Sequence, residues 1–236
     1  MAFNSVERAP DLVAPRNVLV SAYDKTGLAD FVAALAAARP ECRFYATGGT
    51  ADALRSALGP AGGGRVVAVS EYTGQPEMQG GLVKTLDWKI YLGLLSESGN
   101  ESHEADLGRA GAVAFDMAIV NLYPFFEAAA DPAAAPEELR QRIDIGGPAM
   151  LRAAAKNFLR VAAVSAPAQY EALLDEIRAE GGTLLGTRRR LAAAAFSLTS
   201  RFDAAVSARL EGLGPAELAR AYGLPQSSAG RPGPKQ

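Results

Sequence analysis

The chain has 236 residues, of which 24 are Lys or Arg and 26 are Asp or Glu, so its formal net charge is −2. This balance excludes a strongly basic surface of the kind that neutralises many nucleic-acid phosphates. A hydrophobic fraction of 49% and a charged fraction of 21% are typical of a globular protein and not of a disordered one.

The chain has one cysteine and one histidine, which limits the metal sites and disulfides that it can form. The single cysteine, Cys42, and the single histidine, His103, exclude an intramolecular disulfide, a cysteine zinc cage and a multi-histidine metal site. His103 lies in a polar run, 98–104, that is typical of a surface loop. No apolar run is long enough to span a membrane and the first residues lack a signal-peptide pattern, which predicts a cytoplasmic protein.

Short apolar runs alternate with helical patterns along most of the chain. Residues 1–16 are polar and contain two prolines, which predicts a flexible arm. Strands are predicted at 17–22, 43–46, 65–69, 117–122 and 161–164, and helices at 28–35, 51–58, about 167–178 and about 188–210. Such alternation predicts an α/β domain, here over 17–212, with an open parallel sheet, helices on both faces and further C-terminal helices. Residues 213–236 are expected to form an extension that is disordered at its end.

Two turns at the carboxyl ends of the first two strands have the composition of an anion site. They are Ser-Ala-Tyr-Asp-Lys-Thr-Gly at 21–27 and Thr-Gly-Gly-Thr at 47–50, each before a helix. Free N–H groups at a helix N-terminus bind phosphate, and glycine allows close approach. Each turn alone favours a capped helix start, with Asp24 or Thr50 as N-cap, whereas two on neighbouring strands favour a phosphate pocket. Walker A and G-x-G-x-x-G motifs are absent, which disfavours triphosphates and dinucleotides.

Two later segments also carry candidate chemistry. Tyr123 follows a predicted strand, where it could serve a ligand or pack in the core. The run at 143–157 contains Asp144, two glycines and a helix with Arg152 and Lys156 on one face. The neighbouring cation and burial would lower the pKa of Lys156 and suit it to proton exchange, but the same spacing also fits a solvated basic face.

Together these motifs resemble the IMP cyclohydrolase domain of the bifunctional AICAR transformylase/IMP cyclohydrolase family. The stretches that carry the resemblance are D-K-T-G at 24–27, T-G-G-T at 47–50, Y-T-G-x-P-E-M at 72–78, V-K-T-L at 83–86, N-L-Y-P-F at 121–125, I-D-I-G-G-P-A-M-L-R-A-A-A-K-N at 143–157 and T-R-R-R-L-A-x-x-A-F at 187–196. They follow in family order over roughly 17–210.

The resemblance implies a methylglyoxal-synthase-like α/β fold, a homodimer, and closure of 5-formamidoimidazole-4-carboxamide ribotide (FAICAR) to inosine monophosphate (IMP) without a cofactor. It implies that the phosphate end is held by Tyr23, Asp24, Lys25, Thr47, Gly48, Gly49 and Thr50. It implies that the base is surrounded by Lys84, Thr85, Asn121, Tyr123, Asp144 and Ile145. Leu82, Val83 and Gly146 are expected to bind the substrate as well. Lys156 occupies the position to which the family assigns proton transfer.

Ring closure calls for several kinds of group. We expect Lys84, Asn121 or a backbone N–H near Gly146 to stabilise the tetrahedral oxyanion. Asp144 and Tyr123 are expected to orient or deprotonate the attacking amide, and Lys156 to carry the proton to the leaving hydroxyl. The catalytic set expected from the sequence is therefore Lys84, Tyr123, Asp144 and Lys156, with no metal.

Departures from the family pattern keep two other functions open. The family's arginine is replaced by Leu82, its histidine by Asp87 and a serine of the first turn by Tyr23. Loss of the arginine removes a charge-assisted phosphate contact. The chain could therefore be a paralogue that closes or binds a related ribotide in a specialised nucleoside pathway, or a non-catalytic purine-nucleotide-binding domain. No transformylase follows in the sequence, so a stand-alone cyclohydrolase supplied by a separate formyl-transferring enzyme is expected.

Overall fold

A computed structural model describes residues 5–75 and 85–225 of the chain. Described residues up to Leu122 and those of Ile145–Leu198 form one compact unit, and Tyr123–Asp144 with the residues from Thr199 onward form a second. This division differs from the single domain predicted over 17–212. Sequence periodicity shows where elements lie, but not which of them share a core.

The first unit is built on a parallel sheet. The strands of the described chain are β1 (Leu12–Val13), β2 (Asn17–Ser21), β3 (Arg43–Ala46), β4 (Val66–Ala68), β5 (Met117–Val120), β6 (Ala162–Val164) and β7 (Thr183–Leu184). The parallel sheet has the order β4-β3-β2-β5-β6, and in its central strand Val18 pairs with Phe44 on one side and Met117 on the other. The central strands are apolar on both faces because both faces are covered.

Helices cover the two faces of this sheet. The helices of the described chain are α1 (Leu28–Ala38), α2 (Gly48–Gly62), α3 (Val69–Thr73), α4 (Trp88–Leu95), α5 (Glu101–Ala110), α6 (Phe125–Ala130), α7 (Pro136–Arg142), α8 (Gly146–Lys156), α9 (Tyr170–Glu180), α10 (Leu185–Glu211) and α11 (Pro215–Tyr222). One core joins α1, α2 and α9 to the sheet through Phe31, Leu54 and Ile177. The other joins α4 and α8 through Ile90 and Leu151. The predicted parallel sheet with helices on both faces is therefore confirmed.

The second unit is helical. It contains α6, α7, α11 and the part of α10 that begins at Thr199. Phe202 contacts the rings of Phe125 and Phe126, and the Tyr222 hydroxyl lies 3.2 Å from Glu137 Oε2. The predicted C-terminal extension therefore includes a helix that packs within this unit, and its final residues, 226–236, lie outside the described chain.

Two local predictions are wrong. The expected flexible arm over 1–16 includes β1, which pairs antiparallel with β7, because a polar composition does not reveal a pairing partner some 170 positions away (Val13 with Thr183). The expected loop at 98–104 becomes α5 from Glu101 onward. Asn100 caps this helix by accepting a hydrogen bond from His103 N at 3.2 Å, and acidic residues in the first turn complement the helix dipole.

Within residues 5–75 and 85–225, no helix combines the length and apolar composition needed to cross a membrane. Over the same ranges, His, Cys, Asp and Glu side chains do not gather in threes that could hold a metal ion.

A glycine in α4 allows close packing in the second core. A Cβ on Gly93 would lie 2.7 Å from Phe115 Cδ2 and would clash with the carbonyl oxygen of Val113. We expect Gly93→Ala to lower the free energy of unfolding by about 1–3 kcal/mol, as overpacking does. Gly108→Ala in α5 is the matched control, because a Cβ there meets no heavy atom within 4 Å and should be stabilising. Urea unfolding measures both, and equal effects would contradict the packing argument.

Candidate functional site

The carboxyl ends of β2, β3 and β5 lie side by side because the three strands are parallel neighbours. Ser21 ends β2, and Thr47 and Asn121 directly follow β3 and β5. The hydroxyls of Ser21 and Thr47 are 3.3 Å apart, and Asn121 N donates to Ser21 O at 3.3 Å. In open parallel sheets ligands bind at this edge. The structure thus brings both predicted turns to one place.

The first turn is held by Asn121. Its Oδ1 accepts hydrogen bonds from Tyr23 N at 2.7 Å and Asp24 N at 3.0 Å, and its Nδ2 donates to Asp24 O at 2.6 Å. Hydrogen bonds from Thr26 lower the pKa of the Asp24 carboxyl below its ordinary value. Asp24 is therefore anionic at neutral pH and suits shaping the turn better than binding a phosphate. Lys25 is exposed beside it and supplies a positive charge.

The second turn has the geometry of an anion cradle. Thr47 is the N-cap of α2, and its side chain makes no capping hydrogen bond within the described chain. Thr50 Oγ1 accepts from Ala22 N at 3.3 Å and donates to Ala22 O at 3.2 Å, which fixes this turn to the first. Among the described residues, nothing accepts from the N–H groups of Gly48 and Gly49. Two free donors at the positive end of α2 suit one phosphate group.

The alternative of ordinary helix caps is wrong in the form predicted. The N-caps are Gly27 for α1 and Thr47 for α2, and not Asp24 or Thr50. The side chains of Asp24 and Thr50 instead bond to turn backbone, at Thr26 N and at Ala22. The sequence showed the right residue types but not which backbone groups they meet.

The start of α8 lies against the residues that precede α4. Gly146 approaches Thr85 so closely that a Cβ on Gly146 would clash with the Thr85 hydroxyl. Thr85 is buried, whereas Ile145 is 60% exposed. Three of the predicted binding residues are thus adjacent. The predicted residues Leu82, Val83 and Lys84 lie outside the described residues.

The departure at Asp87 has a structural explanation. Asp87 is the N-cap of α4, and its Oδ1 accepts from Lys89 N at 2.8 Å. Its side chain is buried, and Lys89 Nζ donates to Tyr72 O at 3.1 Å. A carboxylate is among the best N-caps, so this residue contributes to the helix whatever ligand the protein takes.

Lys156 does not lie at the same edge as the two turns. It is the last residue of α8, about 15 Å along the axis from Gly146 at a rise of about 1.5 Å per residue. Just beyond it, Arg160 donates to Phe115 O at 2.7 Å, next to the amino end of β5. Lys156 is exposed and not buried. Its role in proton transfer stays an expectation from the resemblance, because sequence spacing does not tell which end of a helix faces a ligand.

The second unit contains two predicted catalytic residues, Tyr123 and Asp144. Burial raises the pKa of the Tyr123 hydroxyl above its ordinary value, and the charge of Asp144 raises it further. The phenol therefore stays protonated at neutral pH, where it can donate a hydrogen bond but not act as a base.

This pKa can be measured directly. We expect the tyrosinate absorbance of the wild type minus that of Tyr123→Phe to show an inflection above the ordinary pKa of 10.0. In an Asp144→Asn background the same difference should move to lower pH, because removing a neighbouring negative charge favours ionisation. An inflection below 10.0, or one that Asp144→Asn leaves in place, would contradict the assignment.

Comparison with known proteins identifies the family of the chain. The family model described as MGS-like domain matches residues 27–149, more than half of the chain. The chain belongs to the MGS-like family. The model described as AICARFT/IMPCHase bienzyme matches residues 154–229.

Relatives of this MGS-like chain include two PurH proteins. The bifunctional purine biosynthesis protein PurH of Bradyrhizobium diazoefficiens is 48% identical over 82% of this chain and 36% of that protein. PurH of Parvibaculum lavamentivorans is 45% identical over 84% of this chain and 36% of that protein. The crystal structure of ForH matches with a TM-score of 0.70 and 30% identity, over 84% of this chain and 100% of that one. The chain thus spans about a third of the length of the curated relatives it matches.

Sequence reasoning missed two kinds of residue. Ser21 was not among the predicted site residues, although it opens the first turn and its hydroxyl meets that of Thr47. Asn157, which ends the motif at 143–157, is structural: its Nδ2 donates to Leu94 O and Ser96 O, both at 2.8 Å, and anchors the end of α4. The signal for Ser21 in the sequence was a hydroxyl at the last position of a strand. No signal in the sequence showed that the role of Asn157 is structural.

Proposed function

We propose that the chain is an IMP cyclohydrolase that closes FAICAR to inosine monophosphate with loss of water, in purine biosynthesis. The observation that carries this proposal is the pair of N–H groups at Gly48 and Gly49, which have no acceptor among the described residues and lie beside Lys25 and hydroxyls at the carboxyl edge of the sheet. This cradle fits one phosphate, as a nucleoside monophosphate requires. Similarity to PurH proteins over the same region supports the reaction.

The chemistry asks for orientation and for hydrogen-bond donors. The carboxamide nitrogen of the substrate attacks its own formyl carbon, a tetrahedral oxyanion forms, and water then leaves. Because both groups belong to one molecule, holding them in line supplies much of the acceleration. A donor aimed at the oxyanion adds about 3 kcal/mol, and the N-terminal end of α8 at Gly146 is a candidate beside Lys84. The step transfers no electrons and no external group, so we propose no cofactor.

Direct assay tests the proposal. FAICAR is added to the purified protein and IMP formation is followed by ultraviolet absorbance against the uncatalysed rate. Binding is followed in parallel by the fluorescence of Trp88, the single tryptophan, which is 68% exposed and three positions from Thr85. Rapid closure supports the proposal. Tight IMP binding without turnover would overturn it in favour of a nucleotide-binding domain. Absence of both IMP binding and turnover would overturn it in favour of a different ribotide.

A further inference from the structure

Asn121 uses nearly all of its hydrogen-bonding capacity on the first turn. A carboxamide has two acceptor positions and two N–H groups. Both acceptor positions of Oδ1 are filled by the N–H groups of Tyr23 and Asp24, and Nδ2 donates to Asp24 O. In the part of the chain that the structure describes, the second N–H of Nδ2 has no acceptor. A side chain so occupied is poorly suited to read a heterocyclic base, which is the task that the resemblance implies.

The backbone of Asn121 is itself held by the sheet. Its N–H donates to Ser21 O at 3.3 Å, which extends the pairing of β5 with β2 by one residue. The first turn is also joined to the second, through the two hydrogen bonds between the Ala22 backbone and Thr50 Oγ1. A continuous hydrogen-bonded chain therefore runs from β5 through the first turn to the Gly48–Gly49 cradle.

We propose that Asn121 is a positioning residue: it holds the first turn so that Lys25 faces the phosphate end of the ligand, and it does not read the base. The inference rests on the proposed function for the identity of the ligand. It also explains why Tyr23 N and Asp24 N, which look like phosphate donors in the sequence, are unavailable: Asn121 already occupies them.

Loss of this side chain should weaken phosphate binding without unfolding the protein. Tyr23 and Asp24 are exposed, so water can satisfy the groups that Asn121→Ala releases. We expect the affinity for IMP and for inorganic phosphate to fall at least ~10-fold, while that for inosine, which lacks the phosphate, stays within ~2-fold. The KM for FAICAR should rise more than kcat falls.

Trp88 fluorescence titrations with IMP, inosine and inorganic phosphate test this on the full chain. Asn100→Ala is the matched control, because Asn100 also bonds to backbone through its carboxamide but caps α5. Equal weakening of IMP and inosine would overturn the proposal, because it would mean that Asn121 contacts the nucleoside. Unchanged affinity for IMP and phosphate would overturn it as well.

A measurement without ligand separates this inference from the proposed function. By NMR hydrogen exchange, the amides of Tyr23 and Asp24 should exchange at least ~10-fold faster in Asn121→Ala, and not in Asn100→Ala. Unchanged exchange would overturn the positioning role. If the wild type binds none of the three probes while these amides respond as expected, the proposed function fails and the structural role of Asn121 stands.

Discussion

Arg188→Ala should lower the free energy of unfolding by at least ~3 kcal/mol. Arg188 is fully buried, and all five of its N–H groups donate to backbone carbonyls. The acceptors are the carbonyl oxygens of Pro10, Asp11, Phe158, Leu159 and Thr183. One side chain thus joins the N-terminal segment, the loop after α8 and β7. Alanine would leave buried carbonyls without donors and three segments without their common link.

Chemical denaturation of neighbouring variants isolates this effect. Arg189→Ala removes the same charge from the next, exposed position and should change the stability by no more than ~0.5 kcal/mol. Arg188→Lys should fall between wild type and Arg188→Ala, since an ammonium group offers three donors of different geometry. A loss in Arg188→Ala no larger than in Arg189→Ala would show that the buried network is not needed.

Asp144→Asn should slow FAICAR closure at least ~100-fold, the lower end of acid–base contributions. Asp144 and Tyr123 are electrostatically coupled, and the raised pKa keeps the phenol protonated. A carboxylate is then the group of the pair able to orient or accept a proton from the attacking amide. Tyr123→Phe should also slow closure, because it removes a hydrogen-bond donor while keeping the ring.

Asp203→Asn is the control for charge, since Asp203 is an exposed residue of α10 in the same unit. It should turn over at the wild-type rate. Steady-state kinetics on the three variants measures the effects. Turnover of Asp144→Asn within tenfold of wild type would remove Asp144 from the proposed mechanism.

The sheet was largely predictable because its strands are short, apolar and separated by helices. The run at 43–46 coincides with β3, and those at 17–22 and 117–122 differ from β2 and β5 only at their ends. Buried parallel strands are apolar on both faces, so local composition identifies them. The pairing of β1 with β7, and the packing of residues 123–144 with the end of the chain, depend on contacts between distant segments. Local composition therefore does not predict those contacts.

The fold class and the residue types of the site, namely hydroxyls, glycines and a lysine at the ends of the first two strands, could be predicted from the amino-acid order alone. Which groups each of these residues contacts became clear from the three-dimensional arrangement. The amides of Tyr23 and Asp24 donate to Asn121, whereas those of Gly48 and Gly49 have no acceptor within residues 5–75 and 85–225, and Lys156 lies at the far end of α8. The physical reason is that these hydrogen bonds join residues far apart in the sequence, and the direction of a helix depends on the elements that it packs against. A sequence motif contains only residues that are close together along the chain.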